Sequence, residues 1–174
     1  DKITELQSSG MSKMIIDLRD NPGGVLDEAC NMADMILPEG IITYTETKSG
    51  KRKDYNSDAE SLDIPIVILI NENSASASEV FTGALKDYGK ATVVGKKSYG
   101  KGIVQSVLPF YDGSGMSLTV AKYYTPNGTC IHGIGIEPDV EVDMPDEYKD
   151  MYASMVEHDK DTQLQKAIEI IKEK

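Results

Sequence analysis

Cysteine and histidine are scarce in this sequence, with two of each among 174 residues. No CxxC pair or Cys/His cluster exists, which argues against a structural zinc site. Cys30 and Cys130 lie far apart in the chain. The residues leave open a single disulfide between them or two unrelated buried thiols, so cysteine usage does not fix a redox compartment. Basic residues are also in deficit: 18 Lys and Arg stand against 29 Asp and Glu, a net charge of −11. Such a chain repels phosphate backbones and anionic membrane surfaces, which makes nucleic acid or lipid head groups poor partners. Solubility is the plain reading of that charge. Long hydrophobic runs are missing too. The longest, Ile64–Ile70, is interrupted by Pro65 and falls far short of the roughly 20 residues of a membrane span. No signal-peptide pattern is present. The chain opens on Asp1 in what reads as mid-helix, the look of a cut fragment, so a missing targeting segment says little about native location.

What is present suits one globular domain, with 40% hydrophobic and 27% charged residues. Residues 1–9 read as a helix end stopped by Gly10. Met14–Leu18 reads as a buried strand running into the turn Arg19-Asp20-Asn21-Pro22-Gly23-Gly24. Val25–Leu37 has helical spacing, ended by Pro38 and Gly40. Ile41–Thr47 reads as a strand with a hairpin turn at Ser49-Gly50-Lys51, and residues 54–63 read as a polar loop. Pro65–Ile70 is the clearest strand, followed by a helix over Ser76–Lys86 and a strand over Ala91–Gly95. Ile103–Leu108 and Ser117–Tyr124 pair around Asp112-Gly113-Ser114-Gly115, and Thr162–Ile171 has one apolar helical face. The strand–turn–helix alternation predicts α/β architecture. Residues 146–174 read as a C-terminal helical segment of the same domain.

Chemistry concentrates at Ile70-Asn71-Glu72-Asn73-Ser74-Ala75-Ser76-Ala77-Ser78-Glu79. A buried strand ends there, small residues fill a turn, and a helix begins. A serine at such a junction is exposed while its backbone is held, and the free N–H groups of the helix start can stabilise an oxyanion. The competing reading is a cap: Ser74 or Ser76 caps the helix, with Glu79 completing a capping box after Ser76. A nucleophilic serine needs a base. His158 lies in an acidic, polar stretch and reads as solvated. His132 lies in a Gly-rich stretch, with no Asp or Glu at triad-like spacing. Lys101 stands between Gly100 and Gly102, which removes bulk and permits close backbone approach; it reads as a base or as an exposed turn lysine. A lysine accepts a proton only as the free amine, a form favoured by apolar burial. Ile103, Val104 and the Ser76 helix are the candidates to supply that cover.

The runs Ser74–Glu79, Gly83–Gly89, Val94-Gly95 and Tyr99–Gln105, preceded by Leu18–Gly24 and followed by Tyr124–Gly128 and Gly135–Val140, together resemble the C-terminal processing (tail-specific) serine peptidases. The order and spacing agree across residues 14–142. The resemblance implies a crotonase/Clp-protease-like core of stacked ββα units, truncated at its N-terminus, with a PDZ domain upstream in the full-length chain. It implies Ser76 as nucleophile, Lys101 as base and Gln105 orienting the lysine amine. It implies an oxyanion hole built from the backbone N–H of Ala77 and of a glycine in the 22–24 turn, Gly24 in preference to Gly23. Ser74 and Ser78 become supporting residues, with Ser78 directed away from the attack face, and Glu79 and Asp87 take structural or supporting roles. No metal or organic cofactor is implied. The implied partners are protein substrates with apolar C-termini, and the implied location is extracytoplasmic. Three rivals stand beside this reading: a protease-like binding module that has lost hydrolysis, a crotonase-type acyl-CoA enzyme, and a purely structural domain. Asn127-Gly128-Thr129 fits a glycosylation sequon but reads better as a turn.

Overall fold

The most apolar strand organises the domain. The computed structural model describes residues 2–174. Ile66–Ile70 forms a strand whose five residues are all buried, and it lies inside a parallel sheet. In strand order this sheet is β1 (Met14–Asp17), β4 (Ile66–Ile70), β5 (Ala91–Gly95) and β8 (Val140–Glu141). Every pairing in it is parallel. A parallel strand covered on both faces has no polar side to show, hence its unbroken apolar run. Alternate side chains serve two cores. Ile66, Ile68 and Ile70 join the larger one with α2 (Leu26–Asp34) and α3 (Ala77–Asp87), through Ala33, Phe81 and Leu85. Val67 and Leu69 face Ala167 and Ile171 of α4 (Thr162–Glu173).

The second sheet is antiparallel, in the order β3 (Arg52–Ser57), β2 (Gly40–Thr47), β7 (Gly115–Tyr124) and β6 (Ile103–Pro109). Its β6–β7 hairpin overreaches its neighbour. β2 pairs only with residues 121–124 of β7, so the rest of the hairpin is a two-stranded arm. Val107, Leu108, Met116, Leu118 and Val120 are exposed along it. A short helix, α1 (Lys2–Ser8), precedes β1 and packs Ile3 on the larger core, and a 3-10 turn at Ala153–Met155 precedes α4. Among the described residues no helix is long and apolar enough to cross a membrane.

The mixed α/β architecture is the one expected from the sequence. Some elements differ in extent, and of residues 146–174, read as helical, only Thr162–Glu173 is α-helix, with a 3-10 turn at Ala153–Met155. Residues 54–57, expected in a loop, belong to β3, an edge strand pairing with β2 alone. Edge strands carry polar side chains by preference, which hid this one. The helix expected over Val25–Leu37 runs only from Leu26 to Asp34. Leu37 precedes Pro38, which disfavours helical geometry, and Ile36 and Leu37 are instead fully buried beyond the helix. Cys30 and Cys130 are both free thiols. Burial, reinforced by the charge of Asp27, pushes the Cys30 thiol up to about 11.

Ile68 is fully buried in the central strand. Ile68→Ala is expected to lower stability by about 2–5 kcal/mol through lost burial and a residual cavity, read as a lower denaturant midpoint at unchanged m-value.

Candidate active site

In a parallel sheet all strands end on the same side, and the loops leaving their carboxyl ends share one surface. Because β1, β4 and β5 are neighbours, three sequence-distant loops meet there. They are residues 18–24 after β1, 71–76 after β4 and 96–102 after β5.

The first two loops are stitched together by short polar side chains. Ser74 is fully buried. Its Oγ donates to the Leu18 carbonyl at 2.7 Å and accepts from Asn71 N–H at 2.9 Å. It therefore ties loops instead of capping α3. The Asn21 carbonyl accepts from Ala75 N–H at 3.0 Å and from the Ser78 hydroxyl at 3.1 Å. Ser78, expected as a supporting residue directed away from the attack face, holds the 18–24 turn. Asp20 takes a left-handed backbone, φ 58, uncommon for a non-glycine residue. Its carboxylate accepts from the side-chain amides of Asn71 and Asn73 at 2.8 Å each and from Ala153 N–H at 2.8 Å. Burial works to raise the Asp20 carboxyl. The hydrogen bonds from Asn73, Ala153 and Asn71, with the charge of Arg19, outweigh burial and hold it below the usual range.

Ser76 sits at the start of α3 with φ 56 and ψ −117, a strained conformation for a residue with a Cβ. Glu79 reaches back to accept from Ser76 N–H at 2.8 Å, the acidic half of a capping box. The Glu79 N–H is donated to the Ser76 carbonyl at 2.9 Å and also faces the Ser76 side chain, the other half of the box. Gly23 packs directly on this residue. A Cβ there would lie 2.6 Å from the Ala75 carbonyl, 2.7 Å from Ala77 N and 2.9 Å from Ser76 Cβ. Gly23 N–H is already donated to Asn21 Oδ1 at 2.9 Å. Among the described residues the N–H groups of Gly24 and Ala77 have no protein acceptor.

The third loop is fixed by the same glutamate. Glu79, 1% exposed, accepts at Oε1 from the Ser98 hydroxyl at 2.5 Å and Gly100 N–H at 2.6 Å. At Oε2 it accepts from Lys101 N–H at 2.8 Å, besides Ser76 N–H. One carboxylate oxygen therefore joins the backbones of Ser76 and Lys101. The glycines beside Lys101 allow the close approach expected of them. A Cβ on Gly102 would lie 2.3 Å from His132 N, and one on Gly100 3.1 Å from Gly135 N. Lys101 and Gln105 are exposed, so the cover expected of Ile103 and Val104 does not enclose the lysine. Among the described residues no hydrogen bond joins the Ser76 and Lys101 side chains, and Gln105 makes none from its side chain. His132 and His158 are both exposed. Asp87 accepts from Asn127 N–H at 2.8 Å, remote from Ser76 in the hydrogen-bond network.

The model of peptidase family S41 matches residues 1–142. The chain belongs to peptidase family S41. A "Probable CtpA-like serine protease" of Staphylococcus aureus is 48% identical over 149 residues, which is 83% of this chain and 30% of that protein. The carboxyl-terminal-processing protease of a Synechocystis species is 44% identical over 142 residues, covering 81% of this chain and 33% of that one. Among solved structures, a photosystem II D1 C-terminal processing protease superposes with a TM-score of 0.76 at 39% identity, covering 82% of this chain and 38% of that chain. The chain thus spans about a third of the length of these S41 relatives.

Sequence reasoning did not single out Ser98, Asn71, Asn73, Arg19 or Asp20 as parts of the site. Each is a polar residue in a loop, and only the meeting of three strand ends gives it a partner. A cavity of about 160 Å³ adjoins the Gly23–Gly24 turn, lined by Leu18, Val25, Ala29, Met32, Ala77 and Phe81 among others.

The two turn glycines are expected to differ. Gly23→Ala places a Cβ against Ser76 at φ +95, whereas Gly24 has open space around it. Denaturant unfolding should show a loss of about 1–3 kcal/mol for Gly23→Ala and less than about 0.5 kcal/mol for Gly24→Ala.

Proposed function

We propose that this chain is the core of a serine endopeptidase that cleaves protein substrates near an apolar C-terminus, with Ser76 as nucleophile and Lys101 as general base. The observation that carries the reading is Ser76 itself. It is a strained serine at a strand-to-helix junction with Gly23 packed against it, and the N–H groups of the adjoining residues Ala77 and Gly24 are unengaged. Strain of this kind is retained where a reactive group must be presented.

In this mechanism Ser76 Oγ bonds to the scissile carbonyl carbon while its proton passes to Lys101 Nζ. The oxyanion accepts from Ala77 N–H and from Gly24 N–H, the Gly23 N–H being already in use. The C–N bond breaks as Lys101 returns the proton to the leaving amine. Water then repeats the sequence on the acyl-enzyme and frees Ser76. Gln105 orients the amine of Lys101. The cavity beside Gly23 is smaller than the about 300–1,000 Å³ of small-molecule sites and suits one apolar side chain next to the scissile bond. Its rim residues Val25 and Met32 are exposed, so an extended chain can enter from solvent. None of these steps uses a metal or organic cofactor.

A catalytically silent peptide-binding module is the second reading. It is favoured by the exposure of Lys101 and the missing hydrogen bond to Ser76. Cleavage of an unfolded protein with an apolar C-terminal tail separates the two, using the intact protein, Ser76→Ala and Lys101→Ala. The peptidase reading expects wild-type cleavage and a fall in kcat of at least about a thousandfold in each variant, with unchanged thermal unfolding. Binding of the tail without cleavage by the wild type, or normal cleavage by Lys101→Ala, contradicts it.

A further inference from the structure

The oxyanion turn is held from outside by a part of the chain that the family model does not reach. That model ends at residue 142. Beyond it, residues 143–174 hold the pair Arg19-Asp20, which opens the turn, at both of its side chains.

At Arg19 the hold is a buried fork. Arg19 donates from Nη1 to Asp161 Oδ1 at 2.9 Å and from Nη2 to Asp161 Oδ2 at 2.7 Å. Both side chains are 2% exposed. The same guanidinium donates to Gln163 Oε1 at 3.1 Å and to Asp17 at 2.9 Å from Nε and 2.6 Å from Nη2. A planar guanidinium gripped on both edges cannot rotate, so its backbone is held as well. Asp161 is fixed in turn, because its Oδ1 also accepts Leu164 N–H as the N-cap of α4. That helix packs through Ala167 and Ile171 on Val67 and Leu69 of β4, the strand that leads into the Ser76 loop.

At Asp20 the hold is the Ala153 N–H, donated to Asp20 Oδ2 at 2.8 Å. The left-handed Asp20 is a conformation that persists only where its surroundings over-determine it. Asn71 and Asn73 hold one carboxylate oxygen and Ala153 holds the other.

We propose that the 143–174 segment is a positioning element of the active site, in which Asp161 and the Ala153 N–H hold Arg19-Asp20 and thereby set where the turn presents its oxyanion donor. This rests on the peptidase reading above. The segment touches neither Ser76 nor the cavity beside it. It acts on rate through the turn, because a small displacement of a preorganised donor is felt in the transition state more than in substrate binding.

The test uses the intact protein and an internally quenched peptide with an apolar C-terminal tail, with kcat and KM measured well below each variant's melting temperature. Asp161→Asn keeps an N-cap for α4 but weakens the fork. Ala153→Pro removes only the N–H. Tyr152, at φ −60 and ψ 136, already has the geometry a residue before proline requires, and Ala153 is the first residue of its 3-10 turn. Ala153→Pro therefore decides the matter even where Asp161→Asn folds poorly. The expected result is a fall in kcat of about tenfold to hundredfold with KM within about twofold. Folded variants with wild-type kcat, or with raised KM at unchanged kcat, overturn the inference alone, provided that wild type cleaves and Ser76→Ala does not. A wild type that does not cleave removes the peptidase reading and this inference together.

Discussion

The loops that meet around Ser76 and Lys101 are referred to one buried carboxylate. Glu79 lies a single helical turn beyond Ser76, and its two oxygens collect Ser76 N–H, Lys101 N–H, Gly100 N–H and the Ser98 hydroxyl. Four donors converge on the two oxygens of this one side chain. Buried carboxylates are costly unless satisfied in this way. The arrangement converts that requirement into geometry, since the loop after β5 cannot move without leaving a buried oxygen unpaired. Glutamine in the same place would turn an N–H₂ toward these donors.

The sheet makes the convergence possible. Adjacent parallel strands deliver the 18–24, 71–76 and 96–102 loops to one edge, and small residues let them interlock. Gly23 lies against Ser76, Gly102 against the backbone of His132, and Ser74 bridges Asn71 to Leu18. The cost shows in the two non-glycine residues with positive φ among the described residues, Asp20 and Ser76. Both are in this cluster, and both are pinned by side-chain carboxylate hydrogen bonds. The C-terminal segment adds a brace from the far side of the sheet through Arg19 and Asp161.

Much of this was legible in the sequence, and the exceptions share a cause. The Ile66–Ile70 run could only be a buried strand. The small-residue junction after it marked Ser76, and the glycines around Lys101 marked a close approach that the structure contains. Those same motifs resemble the C-terminal processing peptidases, in keeping with the family to which the chain belongs. Local pattern could not show that Glu79 spans from α3 to the β5 loop, because a capping box satisfied the same residues with neighbours alone. It could not pair Arg19 with Asp161 across the length of the chain. It missed the last residues of β3 because an edge strand is as polar as a loop. The cover expected over Lys101 is likewise a property of tertiary packing, and in this chain Lys101 remains exposed.

The most direct test of the account is the rate at which a fluorophosphonate labels Ser76 in wild type and in Glu79→Gln, with the adduct located by mass spectrometry and folding checked by circular dichroism. If the carboxylate sets Ser76 against Lys101, wild type labels at Ser76 and folded Glu79→Gln labels at least about tenfold more slowly. Labelling of folded Glu79→Gln at the wild-type rate would contradict the claim that this one group holds the site together.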